Sequence, residues 1–168
     1  WGASVGDLVA NSLGSMVAIS QELYWKNQRI QIRYSYSRSD ISNNNADLFG
    51  DSFIQRSLKD YNGQTYWLSV SPGSFFKRKN IPKWLCISLG YSAHEKLVGS
   101  SPYFMDSESG QEYFEQREFL LSLDIDFSKI SVKRPWLKTV LKQLNHLKIP
   151  FPAIMLRNQQ LLMKPLYF

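Results

Sequence analysis

The stretch "REFLLSLDIDFS", residues 117–128, decides how this chain folds. Phe119, Leu121, Leu123, Ile125 and Phe127 recur at every second position, while Glu118, Ser122, Asp124, Asp126 and Ser128 hold the other parity. Successive side chains of a β-strand point to opposite faces, so this alternation gives one apolar face and one polar face. Asp124 and Asp126 share the polar face. Paired carboxylates can divide acid and base roles, but a solvated strand face is the commoner origin of such a pair and is the expectation here.

The same period of two recurs on both sides of this strand. In "RIQIRYSYS", 29–37, Ile30, Ile32, Tyr34 and Tyr36 alternate with Gln31, Arg33 and Ser35. "QTYWLSV", 64–70, sets Tyr66, Leu68 and Val70 against Thr65, Trp67 and Ser69. "WLCISLGYS", 84–92, sets Leu85, Ile87, Leu89 and Tyr91 against Trp84, Cys86, Ser88 and Gly90. Two extended segments, 152–157 and 160–168, close the chain, and Pro165 suits an edge strand.

Two segments follow a helical period instead. Residues 3–24 read as a helix, with Ser4 as N-cap and Asp7 three residues on as a variant capping box. Asp7, Asn11, Gly14 and Ala18 form a small polar stripe on it, suited to close packing, and most of the remaining circumference is apolar. The expectation is a core helix with a solvated Asp–Asn edge. Residues 135–148 form an amphipathic helix with Pro135 at its first position and Leu137, Val140, Leu141, Leu144 and Leu147 on its apolar face. A short helix over 52–60 starts near Ser52, and 39–51, 72–83 and 93–113 read as loops.

The fold expected is therefore α+β: an N-terminal helix, then a mostly antiparallel sheet able to curl into a small barrel, with a late amphipathic helix. One domain covers 1–168: 1–25 helical, 29–128 mainly strands and loops, 135–148 helical, 150–168 extended. Because the chain starts at Trp1, it reads as the C-terminal part of a longer protein. Several strands reach the roughly 9–11 residues of a membrane strand, though the six in the sequence fall short of the eight in the smallest bacterial barrels.

Within "LKDYNGQTYWLSV", 58–70, polar and aromatic residues crowd together. Asp60, Asn62, Gln64, Tyr66 and Trp67 are the ligand-binding candidates, since aromatic rings stack on sugar faces while amides bond hydroxyls. The same set suits a membrane interface. The competing reading is packing near a turn, with Asn62 and Gly63 supplying left-handed backbone. Trp67 is opposite in parity to Tyr66, Leu68 and Val70, so only one set lines a core unless the sheet is covered on both sides.

A net charge of +6 invites a nucleic-acid partner. The basic residues are scattered, however, with one tight cluster at 77–79 and no zinc-finger spacing or RNA-binding consensus, which argues against it. Basic loops touching anionic lipid or polysaccharide fit as well. Cys86 is the single cysteine, which excludes an intramolecular disulfide and a multi-cysteine metal site. His94 beside Glu95, and His146 near a helix end, have no metal-ligand spacing. No cofactor or metal is expected, and no reaction is assigned. The leading expectation is a non-catalytic, membrane-associated protein that binds a lipid, a glycan or a partner protein. The alternative is an enzyme on lipid or glycan, with Asp60, His94, Glu95 or the Asp124/Asp126 pair as its acids.

"WGASVGDLVANSLGS", "LKDYNGQTYWLSV" and the ending "PLYF" closely resemble a family of uncharacterised bacterial envelope proteins, catalogued as predicted periplasmic lipoproteins of unknown function. The resemblance runs through most of the chain and is most specific over 59–69. Asp7, Asn11 and Gly14 also match, more weakly, the D-x-x-x-N-x-x-G pattern in the closing helix of VanZ-like membrane proteins. Phe168 resembles the aromatic end of outer-membrane barrel proteins. The family implies the Gram-negative cell envelope, outer membrane or periplasm, and an upstream helical region with an Asp-Lys-x-x-His element before the point where this chain begins. The chain shows no lipobox cysteine. The family implies no reaction and no catalytic residues.

Overall fold

The computed structural model describes residues 5–37, 39, 52–76, 81–95, 103–105 and 112–167. Helix α1 (Val5–Trp25) leads into β1 (Ile30–Tyr36), and α2 (Phe53–Lys59) into β2 (Gln64–Val70). A single helical turn, α3 (Pro72–Phe75), precedes β3 (Leu85–His94). A small hairpin of β4 (Tyr103–Met105) and β5 (Glu112–Phe114) comes before β6 (Gln116–Ile125). The 3-10 turn Phe127–Lys129, α4 (Pro135–Leu144), β7 (Phe151–Arg157) and β8 (Gln160–Tyr167) complete the chain.

The main sheet has six antiparallel strands in the order β1-β2-β3-β6-β7-β8. This is the expected α+β class, and the expected strands at 29–37 and 64–70 form at the expected parity; the one read over 117–128 does so only to Ile125, because Asp126 caps a 3-10 turn that takes Phe127 and Ser128 out of the strand. Pro165 does lie in an edge strand, β8. The sheet is not closed into a barrel, because β1 and β8 remain its two edges. It is nevertheless strongly curled. Arg33 on β1 reaches Asp124 on β6 at 3.0 Å, with two strands between them in the sheet order. In a flat sheet strands three places apart lie about 14 Å from each other, at about 4.8 Å per step. Thr65 on β2 likewise meets Tyr167 on β8 at 3.1 Å, and the rings of Trp67 and Tyr167 pack edge-on at 5.9 Å. Beyond β1, the segment after α4 forms a parallel bridge between Tyr34 and Leu147, so part of that edge is covered.

The curl decides which parity is inside. Trp67, Leu120, Ala153 and Met155 form the apolar part of the interior, with Tyr167 against them. Ser69, Ser88, Ser122, Arg33 and Asp124 share that interior. Trp67 is 1% exposed and donates from Nε1 to Ser35 Oγ at 2.8 Å. Its ring lies directly on Gly90, where a Cβ would come within 2.8 Å of two ring carbons and 3.1 Å of Leu120. A glycine is required there because the indole occupies the space of its side chain.

Several expectations are corrected. Helix α1 is not a core helix: Leu8, Leu13, Met16, Ile19 and Leu23 are all exposed, and a Cβ at Gly14 would meet nothing within 4 Å. The helix is tied to the sheet at its end, where Gln21 donates to Ile30 O at 2.9 Å and accepts from the amides of Arg29 and Ile30. Part of the loop read over 93–113 is strand, in the end of β3 and in the β4–β5 hairpin. The Ser4 cap, the Asp7 side chain, Phe168, the basic run 77–79 and most of the 39–51 loop lie outside what is described. Helix α2 begins as expected, with Ser52 accepting from the Gln55 amide at 3.2 Å. The left-handed backbone expected at Asn62-Gly63 is absent, and positive φ falls instead at Lys26, Glu95, Asn158 and Gln159. Gly63 is needed for space: a Cβ would collide with the Ser37 carbonyl oxygen and lie 2.6 Å from the Tyr36 ring.

Gly63→Val and Gly90→Val should each therefore lower stability by overpacking, by about 1–3 kcal/mol or more. Leu89→Val, one position away and facing outward, should change it by less than about 1 kcal/mol. Urea unfolding of the three variants checks this, and equal midpoints for Gly90→Val and Leu89→Val would contradict the inward placement of Gly90.

Candidate functional site

Cross-strand register turns the outward residues into rows. Tyr34, Tyr66, Tyr91, Phe119, Leu156 and Leu161 lie side by side across all six strands. Ile32, Leu68, Leu89, Leu121, Ile154 and Met163 make the next row. Ile30, Val70, Ile87 and Leu123 make a third. No charged side chain interrupts the three rows. Leu89 is 57% exposed and Phe119 56%. Aromatic rings pair along the first row, Tyr34 with Tyr66 at 5.8 Å and Tyr91 with Phe119 at 5.6 Å. One step further the row turns polar, through Gln64 and Arg117. The convex face is thus an apolar band edged by aromatics, far beyond the scattered apolar exposure of an ordinary surface.

The concave face is the reverse. Asp124 and Asp126 are fully buried, so the solvated face expected for them does not exist. Arg33, fully buried too, pairs with Asp124, donates to Ile125 O at 2.9 Å and to Gln31 Oε1 at 2.8 Å. Lys148 comes from the segment after α4, 3.9 Å from the second Asp124 oxygen. It donates to Leu123 O and Ile149 O, each at 2.9 Å, with its ammonium 5.0 Å from the Trp67 ring centroid. Burial pulls the Lys148 ammonium below the usual lysine range, and the Asp124 charge partly restores it. Asp126 serves a separate network: it caps the 3-10 turn by accepting from Ser128 N at 3.0 Å and takes Asn145 Nδ2 at 2.8 Å. The two carboxylates share a face but no partner, so they do not form an acid–base pair.

The five residues proposed from 58–70 separate in space. Asp60 is buried and holds the turn, accepting from Ser39 Oγ at 2.9 Å and from the amides of Asn62 and Gly63. Trp67 is interior. Asn62 is half-buried in the turn. Gln64 is committed to the end of α2, through Ser57 O at 2.9 Å and Leu58 O at 3.2 Å. Tyr66 alone presents a broad exposed face, its hydroxyl donating to Gln64 Oε1 at 3.0 Å. Gln64 and Tyr66 line a groove of about 410 Å³ at the polar end of the convex face, together with Tyr61, Tyr91, Glu115 and Arg117. Nothing in the sequence around Tyr91 and Arg117 marks them as neighbours of Tyr66, because only register brings β3 and β6 beside β2. His94 and Glu95 do stay together, 3.7 Å apart, and His94 also faces buried Glu118 at 3.8 Å, which pairs with Arg157. His146 is exposed just past α4. On α1, Asn11 is exposed.

Among the described residues no group of three or more His, Cys, Asp or Glu is placed to hold a metal. No helix among them is long and apolar enough to cross a membrane, which says nothing of strands. No protein-family model matches the chain, and comparison with curated proteins and with solved structures gives no match.

Asp124→Ala should leave two buried cations without their anion and cost about 3–5 kcal/mol. Asp126→Ala removes a cap and one amide contact, and should cost about 1–2 kcal/mol. Unfolding midpoints of the two single variants check the order, and an equal or greater loss at Asp126 would deny the Arg33–Asp124–Lys148 cluster its role.

Proposed function

We propose that this is a non-catalytic, membrane-associated protein whose convex sheet face lies against lipid acyl chains. The observation that carries the reading is the inversion of the sheet: its apolar rows face out and its charges face in. A soluble sheet buries the apolar parity. A sheet in lipid must turn it outward and satisfy its polar groups internally. The aromatic row fits the level where a bilayer meets water, with Gln64 and Arg117 beyond it. β3 and β6, at ten residues each, match the roughly 9–11 residues of a membrane strand.

The helices support the same setting. Most apolar side chains of α1 are exposed, Leu8, Leu13, Met16, Ile19 and Leu23 among them. On α4, Trp136, Val140 and Leu144 form an exposed stripe that continues into Leu147. A bacterial envelope location, outer membrane or periplasm, is the cellular counterpart proposed for this surface, and the groove at Tyr66 and Arg117 is the place where a glycan or headgroup could meet the sheet. The alternative of an envelope enzyme is weaker. Its candidate acids do not converge as a set: Asp60 is taken by a turn, Asp126 by a cap and Asp124 by two cations, and only His94 and Glu95 stay together.

Vesicle flotation at high salt tests the proposal. The wild-type chain should float with phosphatidylcholine vesicles, and Leu89→Arg should weaken partition by about 2–4 kcal/mol, the cost of a cation facing the middle of a bilayer. Recovery of the wild type wholly in the soluble fraction would overturn it.

A further inference from the structure

A cleft of about 730 Å³ opens between α1, the edge strand β1 and α4. Its two walls differ in chemistry. Val17 and Ala18 of α1 and Ile30 and Ile32 of β1 make an apolar wall. Lys26, Lys129, Lys138 and Lys142 make a cationic one, opposed by the single carboxylate Glu22. The lysines come from three parts of the chain. Lys138 and Lys142 are four residues apart on α4 and so share one helix face. Lys26 stands at the end of α1 in a left-handed conformation, φ 54°. Lys129 is held by Asn27, its ammonium donating to Oδ1 at 2.8 Å. Such a concentration of like charge is costly unless an anion shares it.

Ile30 and Ile32 belong at the same time to the outward apolar rows of the sheet. The cleft is therefore continuous with the convex face. One molecule satisfies both walls and the opening: an amphiphile with an anionic headgroup and acyl chains.

We infer that the α1–β1–α4 cleft binds an anionic phospholipid, its phosphate against Lys26, Lys129, Lys138 and Lys142 and its acyl chains along Val17, Ala18, Ile30 and Ile32 onto the convex face. This rests on the lipid-facing reading of the sheet and adds a site and a headgroup class to it. Charge complementarity selects the occupant. A neutral lipid would leave the four lysines of the lining with Glu22 as the one carboxylate among them, and a soluble phosphate would leave the apolar wall in water.

The test uses the full chain in neutral detergent, with lipid retention read by native mass spectrometry, beside flotation on phosphatidylcholine vesicles with and without phosphatidylglycerol. The wild type should retain phosphatidylglycerol in preference to phosphatidylcholine, and excess inorganic phosphate should not displace it. Lys138→Gln/Lys142→Gln should reduce that preference by about tenfold or more, at about 1 kcal/mol per basic residue near an anionic surface. Both changes are on the exposed side of α4, and flotation on phosphatidylcholine alone should be unchanged. Equal retention of the two lipids by the wild type, or an unaltered preference in the double variant, would overturn the inference. So would displacement by inorganic phosphate, which would mark an anion site without a lipid. Failure of the membrane reading looks different: the wild type would then float with neither vesicle.

Discussion

The contact on which the rest of the structure depends is the one between Arg33 and Asp124. The two side chains meet at 3.0 Å with no solvent access, from strands separated by two others. They can meet only if the sheet curls, and once it curls, the residues of their parity at the middle of β2, β3, β6 and β7 are enclosed. Lys148 arrives over the mouth of the curl to share the carboxylate, and its ammonium lies 5.0 Å from the Trp67 ring centroid. A buried ion pair stabilises little in itself, since desolvating the charges offsets most of their attraction. Its larger effect here is on geometry: any register or curvature that separated the pair would leave charges stranded in the interior.

That enclosure sets the character of both faces. Inside, small residues make room for one large ring: Ser69 and Ser88 bond each other at 2.7 Å, and Gly90 accommodates the indole of Trp67. Outside, the parity that would ordinarily be a core becomes surface. Tyr34 reaches α2, its hydroxyl donating to Ser57 O at 2.8 Å, but Ile32, Tyr66, Leu68, Leu89, Phe119 and Leu121 stay exposed, so their favourable burial must come from the surroundings. The lipid-facing reading follows from that imbalance, and the cationic cleft beside β1 lies where such a surface would end.

Much of the architecture was legible in the sequence. The alternation in 29–37, in 64–70 and in 117–128 as far as Ile125 placed three strands with their parity, and Pro135 marked the start of α4. Trp67 was set apart from Tyr66, Leu68 and Val70 by parity alone, and it is the interior member. The candidate site was far less legible. Asp60 and Gln64 looked like ligand groups because polar residues beside aromatics do, but both are engaged within the protein: Asp60 by Ser39 Oγ and the amides of Asn62 and Gly63, Gln64 by Ser57 O, Leu58 O and the Tyr66 hydroxyl. Tyr91 and Arg117 gave no sign of belonging beside Tyr66, since cross-strand register depends on strands still distant in the chain.

What the sequence by itself determined is periodicity: which stretches are strand, which are helix, and which residues share a face. A period of two is the same whether the apolar set points in or out, so it fixed no inside. Only the tertiary structure decided that, through Arg33 finding Asp124 and Lys148, contacts between residues far apart in sequence. The physical reason is that isolated charges cannot be left in an interior unpaired. Once they are enclosed together, the alternation of the strand leaves the apolar side chains no place but the convex face.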